Sequence, residues 1–191
     1  MSATRGRKIL MLAALALGGL AAAAQRTTSQ AAAISRELEE IYSVDQADRK
    51  NGLGPDAAAR DVARKKRVLE IVRGELLQTA DDYYHAAMVL QHGDGPQDYL
   101  LAHILATAAA FKGQKEGPWL SAAALDRYLQ SINRPQVFGS QYRKDGDGPW
   151  KQDPFDRGLV TDAIRKEYNA RLLAEQRTKL EELQRTAPEK K

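Results

Sequence analysis

TADDYYHAAMVLQHGDGPQDYLLAHILATAAAFKGQKEGPWLSAAALDRYLQSI, residues 79–132, decides the fold of this chain. Thr79 has the chemistry of a helix N-cap, and Asp82 three residues on makes a variant of the capping box. The helix that follows carries Tyr83, Tyr84, Ala87, Met88 and Leu90 and ends at Gly93. Asp94-Gly95-Pro96 turns the chain into a second helix over 97–112, built largely of alanine and leucine, which stops at Gly113. Gly117-Pro118 opens a third over 119–132, with proline near the first helical position, where its missing N–H leaves nothing unpaired. Helices of this length joined by short turns become antiparallel neighbours. The stretch therefore predicts an all-α fold, a helical bundle of antiparallel helices.

On the N-terminal side, Ile34, Leu38, Ile41 and Tyr42 share one face, opposite Arg36, Glu37, Glu39 and Glu40, which predicts a helix to about Lys50. Asn51-Gly52-Leu53-Gly54-Pro55 ends it. Asp56 is expected to cap a helix over 57–73 whose clearest apolar residues are Val62, Leu69 and Val72, with Gly74 at its end. On the C-terminal side, residues 133–156 are rich in Gly, Pro and aromatics and form one irregular loop segment, with a short extended stretch over 137–142. Thr161 caps a last helix, with Asp162 in its first turn. The hairpins weakly resemble Sel1-like or tetratricopeptide units, without amounting to a repeat array.

Residues 1–24 read as an export signal: Arg5, Arg7 and Lys8 precede an uncharged run from Ile9 to Ala24, and Ala22-Ala23-Ala24 before Gln25 fits a cleavage site. The run is shorter than the roughly 20 residues of a spanning helix. The expected order is signal peptide 1–24, spacer 25–33, a single helical domain 34–185 and a disordered tail 186–191. The expected location is periplasmic or secreted; the alternative is a chain anchored in the membrane by an uncleaved N-terminal helix. Without the signal, Lys+Arg falls from 29 to 26 against 25 Asp+Glu, so the net charge drops from +4 to about +1. That balance gives no case for nucleic-acid binding. Zero cysteines excludes thiolate metal ligation, a disulfide framework and a cysteine nucleophile.

Polar residues set among apolar ones mark the candidate site. Asp45 and Arg49 are four apart and share a face with Gln46 beside them, as a surface ion pair or as part of a polar site. His85 and His92 lie two turns apart, roughly 10 Å along the axis, too far to share one ion. His103 sits on the next helix. The histidines fit hydrogen-bonded core positions, and His92, beside Gln91 and Asp94 at a helix end, also suits a general acid or base. No metal ligand set and no cofactor is expected. Asp126-Arg127 interrupts an apolar helix; a buried member needs a partner, either a salt bridge or a bound anion. In Pro135-Gln136-Val137-Phe138-Gly139-Ser140-Gln141, two amides flank a glycine that allows close backbone approach.

Taken in order, Asp45-Gln46-x-x-Arg49, Gln91-His92-x-Asp94, Asp126-Arg127 and Pro135-Gln136-x-x-Gly139-Ser140-Gln141 resemble a bacterial family of domains of unknown function with D-Q-x-x-R, Q-H-x-D, D-R and P-Q-x-x-G-T-Q motifs. Ser140 stands where that pattern has threonine, which keeps the hydroxyl. The resemblance carries no activity. It implies Asp45, Gln46, Arg49, Gln91, His92, Asp126, Arg127, Gln136, Gly139 and Gln141 as the positions of interest. Three functional readings follow. The first is a binding module with one polar pocket for a small polar or peptide-like ligand, lined by Asp45, Gln46, Arg49, Gln91, His92, Arg127, Gln136, Gly139 and Gln141. The second is a hydrolase with His92 and Asp126 as catalytic candidates. The third is a scaffold whose polar motifs lock the fold. Partners are an unidentified small polar ligand or protein, with no stable membrane insertion after signal cleavage.

Overall fold

The computed structural model describes residues 28–52 and 54–186. The expected signal peptide, the start of the spacer and the tail beyond Thr186 lie outside the described residues. The chain is mostly helical, as the periodicity predicts. Residues 28–51 form α1, followed by α2 (Ala57–Arg73), α3 (Ala80–Leu90), α4 (Pro96–Phe111) and α5 (Gly117–Ser131). Two short strands, β1 (Arg143–Lys144) and β2 (Trp150–Lys151), pair antiparallel, and α6 (Asp162–Glu167) and α7 (Leu173–Arg185) close the chain.

Thr79 caps α3 in a full capping box with Asp82, and Thr161 caps α6 by accepting from the Ile164 N–H. Three expectations change. The spacer is helical from residue 28, in keeping with the high helix propensity of Ala31, Ala32 and Ala33. Asp56 makes no side-chain cap bond; the Ala57 N–H goes to Gly54 O instead, at 3.0 Å. The last helix is two, because Asn169 takes φ 50° between them, a conformation asparagine tolerates.

α4 packs against both α3 and α5, and α2 against α3. Gly117 makes the α4–α5 turn possible: a Cβ there would stand 2.7 Å from the Ala110 backbone nitrogen. Leu120 and Ala124 of α5 join Leu38, Val68, Ile71, Leu90, Ala102 and Ala106 in the main core. Ala122, with Leu125 and Leu129 against it, faces a smaller core of Val137, Phe138 and Val160. The two sets lie on different sides of α5 because residues three and four apart share a face. α5 is thus the wall between a helical bundle and the C-terminal loop. No helix among the described residues is long and apolar enough to cross a membrane.

Candidate functional site

Asp126 lies four residues after Ala122, on the face of α5 turned to the smaller core, and is fully buried. Its Oδ1 accepts from the N–H groups of Val137 (2.8 Å) and Phe138 (2.9 Å). Its Oδ2 accepts from the Ser140 N–H (2.9 Å) and hydroxyl (2.8 Å). The expected extended stretch over 137–142 forms no strand, because these donors go to a carboxylate and not to a neighbouring strand.

The carbonyls of the same loop are held from the other side. Arg165 of α6, also fully buried, donates to Phe138 O, to Val137 O at 3.1 Å and to Val160 O at 3.2 Å. Burial pushes its guanidinium below the usual arginine range, against the pull of Asp162 and Asp126. Gln136 is spent within the loop: its Nε2 donates to the carbonyls of Gln141 and Gln152, and its Oε1 accepts from the Gln141 N–H at 3.0 Å. Gln152 donates to Gly139 O, and Gln176 of α7 to Phe138 O, both at 2.8 Å. Gly139 has φ 74°, and a Cβ there would fall 2.0 Å from Gln176 Oε1 and 2.7 Å from Phe155 Cζ. Asp126, Gln136, Gly139 and Ser140 therefore hold the loop in shape.

The other motifs gather between α1, α2 and the end of α3. Asp45 is 1% exposed, so it is an interior hub and not part of a surface pair. It accepts from Gln46 Nε2 at 2.9 Å and Arg49 Nη2 at 3.4 Å, and bonds His92 Nδ1 at 2.8 Å. Arg49 also meets Asp61 at 2.8 Å, while Arg64 meets Asp61 at 2.5 Å and Asp48 at 2.8 Å. Since a carboxylate only accepts, Nδ1 of His92 is the donor to Asp45, and Nε2 makes no hydrogen bond among the described residues. The tautomer is set by Asp45; Gln91 instead donates to Met88 Sδ, and Asp94 pairs with Lys65. His92 lines a depression of about 160 Å3 with Asp61, Lys65 and Asp94.

Arg127 stands apart from both groups. It lies seven residues after Leu120 and three after Ala124, so it projects on the bundle side of α5. It makes no hydrogen bond or ion pair among the described residues, and its Nε is buried without a partner. Burial lowers its pKa; Tyr99 opposes that shift and repulsion from Arg49 adds to it. Arg127 lines an open depression of about 250 Å3 with Tyr99, Gln130, Ser131 and Gln141. Gln130 Nε2 is likewise buried and unpartnered. Gln141 Nε2 donates to Ser140 Oγ at 2.9 Å and to Ala123 O at 3.4 Å, and its Oε1 accepts no hydrogen bond among the described residues.

The single pocket expected from sequence is therefore divided. His92 lines one depression, Arg127 and Gln141 another, and Gln136 and Gly139 neither. Asp126 has its carboxylate committed to the loop and is not the partner of His92; Asp45 is.

The remaining histidines are placed separately. His85 stacks on Tyr42 with ring centres 4.4 Å apart. His103 Nδ1 lies 3.0 Å from both the carbonyl and the hydroxyl of Ser121. Among the described residues no group of three or more His, Asp and Glu is placed to hold a metal ion.

Sequence reasoning missed Arg64, Gln130, Gln152, Arg165 and Gln176. Arg64 was findable: it lies on the stripe of Ala57, Val68 and Ile71 that α2 buries, and a charge on an apolar stripe needs a buried partner. The others carry no such local signal. Comparison of the chain with protein-family models, curated proteins and solved structures returns no match.

Proposed function

We propose that this chain is an exported helical binding module whose site is the depression around Arg127. The carrying observation is the unpartnered arginine. A cation desolvated without an acidic partner costs stability, and both Arg127 Nε and Gln130 Nε2 are buried with no acceptor. A ligand that accepts from the terminal nitrogens of Arg127 supplies the missing counter-charge. An arginine without a carboxylate partner on the lining of a depression has the chemistry of a small polar ligand site.

The reading is tested by thermal unfolding of the protein and of Arg127→Gln against a panel of amino acids, dipeptides, sugars and nucleosides. Arg127→Gln is expected to leave stability within about 0.5 kcal/mol of the parent or to raise it. At least one compound is expected to raise the melting temperature of the parent alone; stabilisation reaches about 2.7 kcal/mol at a ligand concentration of 100 Kd. A variant that melts several degrees lower, with no compound stabilising the parent, decides for the scaffold.

The hydrolase reading draws on the 2.8 Å Asp45–His92 contact, which orients a base at its depression. No Ser or Thr lines that depression, so the nucleophile would be water. Turnover of a panel compound, lost in His92→Gln, decides for it. Export rests on the basic and then apolar stretch at residues 5–24. N-terminal sequencing of protein recovered outside the cytoplasm is expected to begin at Gln25; a chain that still begins at Met1 or Ser2 rejects cleavage.

A further inference from the structure

Arg127 and its neighbours also limit what the ligand can be, given the reading of that depression as a binding site. The nearby carboxylates are already engaged: Asp45, Asp48 and Asp61 face Arg49, Arg60 and Arg64, and Asp94 and Asp98 face Lys65. Arg127 has no carboxylate against it among the described residues, so the guanidinium itself presents one unmatched positive charge. A monoanion matches it; a phosphate dianion would leave excess negative charge beside a half-desolvated site.

The two terminal nitrogens of the guanidinium, unbonded and not among the buried atoms, fit a carboxylate in a two-pronged bond. Gln130 Nε2 is buried behind them and is not a contact for the ligand. Gln141 Oε1 is an acceptor on the same rim, suited to an amide N–H next to the carboxylate. The depression is open and about 250 Å3, so it seats the end of a molecule and does not enclose a whole one. Capture of a chain-terminal carboxylate by backbone N–H groups is an established mode of peptide recognition, and here a guanidinium would supply the donors.

We infer that the Arg127 depression binds the free C-terminal carboxylate of a peptide, with the terminal nitrogens of Arg127 on the carboxylate and Gln141 on the adjoining amide. A free amino acid carries an ammonium where the peptide has that amide, which sets a second positive charge beside Arg127, and it is held less well.

The test is a nitrogen-15 NMR titration of the protein and of Arg127→Gln with four probes: N-acetyl-Ala-Ala, its C-terminal amide, free alanine and inorganic phosphate. The readout is the Nε–H resonance of Arg127 and the side-chain amides of Gln130 and Gln141. The acid is expected to shift all three saturably. The C-terminal amide, free alanine and the variant are each expected to bind at least tenfold more weakly, about 1.4 kcal/mol. Equal binding of acid and amide overturns the carboxylate while leaving a binding site. Tighter binding of phosphate replaces a carboxylate with a phosphate ligand. Equal binding of free alanine replaces the peptide with an amino acid. Silence from all four probes overturns the inference alone if the wider panel still contains an Arg127-dependent ligand, and overturns both readings if it does not.

Discussion

Asp126→Ala is expected to lower the unfolding free energy by about 3–5 kcal/mol, the range for removing one member of a buried charged network. The carboxylate accepts four hydrogen bonds from Val137, Phe138 and Ser140. Its removal leaves three backbone N–H groups without an acceptor, two of them, on Val137 and Phe138, in buried residues. Each stranded donor costs about 1–3 kcal/mol. It also leaves the positive Arg165 with less compensation. Urea unfolding followed by far-UV circular dichroism measures the loss as a lower midpoint at unchanged slope. Ser140→Ala removes one of the four bonds and is the control, with an expected loss near 1 kcal/mol. An Asp126→Ala variant as stable as that control rejects the carboxylate as the organiser of the loop.

Arg165→Ala is expected to cost a similar amount, about 3–5 kcal/mol, for the mirror-image reason. Arg165 has no exposed surface and donates to the carbonyls of Val137, Phe138 and Val160. Alanine leaves the Val137 and Val160 carbonyls without the arginine's N–H groups, leaves Phe138 O only its bond from Gln176, and opens a cavity where the largest fully buried side chain among the described residues stood. Amide hydrogen exchange is expected to speed up in residues 136–141 and across α6, with the bundle formed by α1–α5 less affected. The double variant gives a sharper test. Both residues hold one segment, so Asp126→Ala and Arg165→Ala together are expected to cost less than the sum of the singles by 1 kcal/mol or more, a coupling typical of shared networks. Strict additivity would show that the two residues do not grip the loop jointly.

These two charges explain why the sharpest sequence motif is structural. A chain reversal without helix or strand has no ladder to absorb its backbone groups, and buried backbone groups must be paired. The carboxylate from α5 takes the N–H groups, the guanidinium from α6 takes the carbonyls, and Gln136, Gln152 and Gln176 complete the set. The tandem Asp126-Arg127 divides its labour through helical geometry alone. Adjacent residues point about 100° apart, so one enters the loop and the other the depression on the bundle side.

The sequence by itself determined the elements. Apolar spacing, the Thr79 capping box, the Thr161 cap and the Gly–Pro turns at Gly95-Pro96 and Gly117-Pro118 are local signals, each written within a few residues. They place the helices and make neighbours of α3, α4 and α5. Only the tertiary structure decided which polar side chains meet. Asp45 and His92 are 47 positions apart, and Arg165 and Phe138 are 27 apart. Periodicity fixes which face of a helix a residue occupies, but not the rotation or height at which that face meets another. The gathering of Asp45 with His92, the grip of Arg165 on the loop and the isolation of Arg127 all depend on that rotation and height.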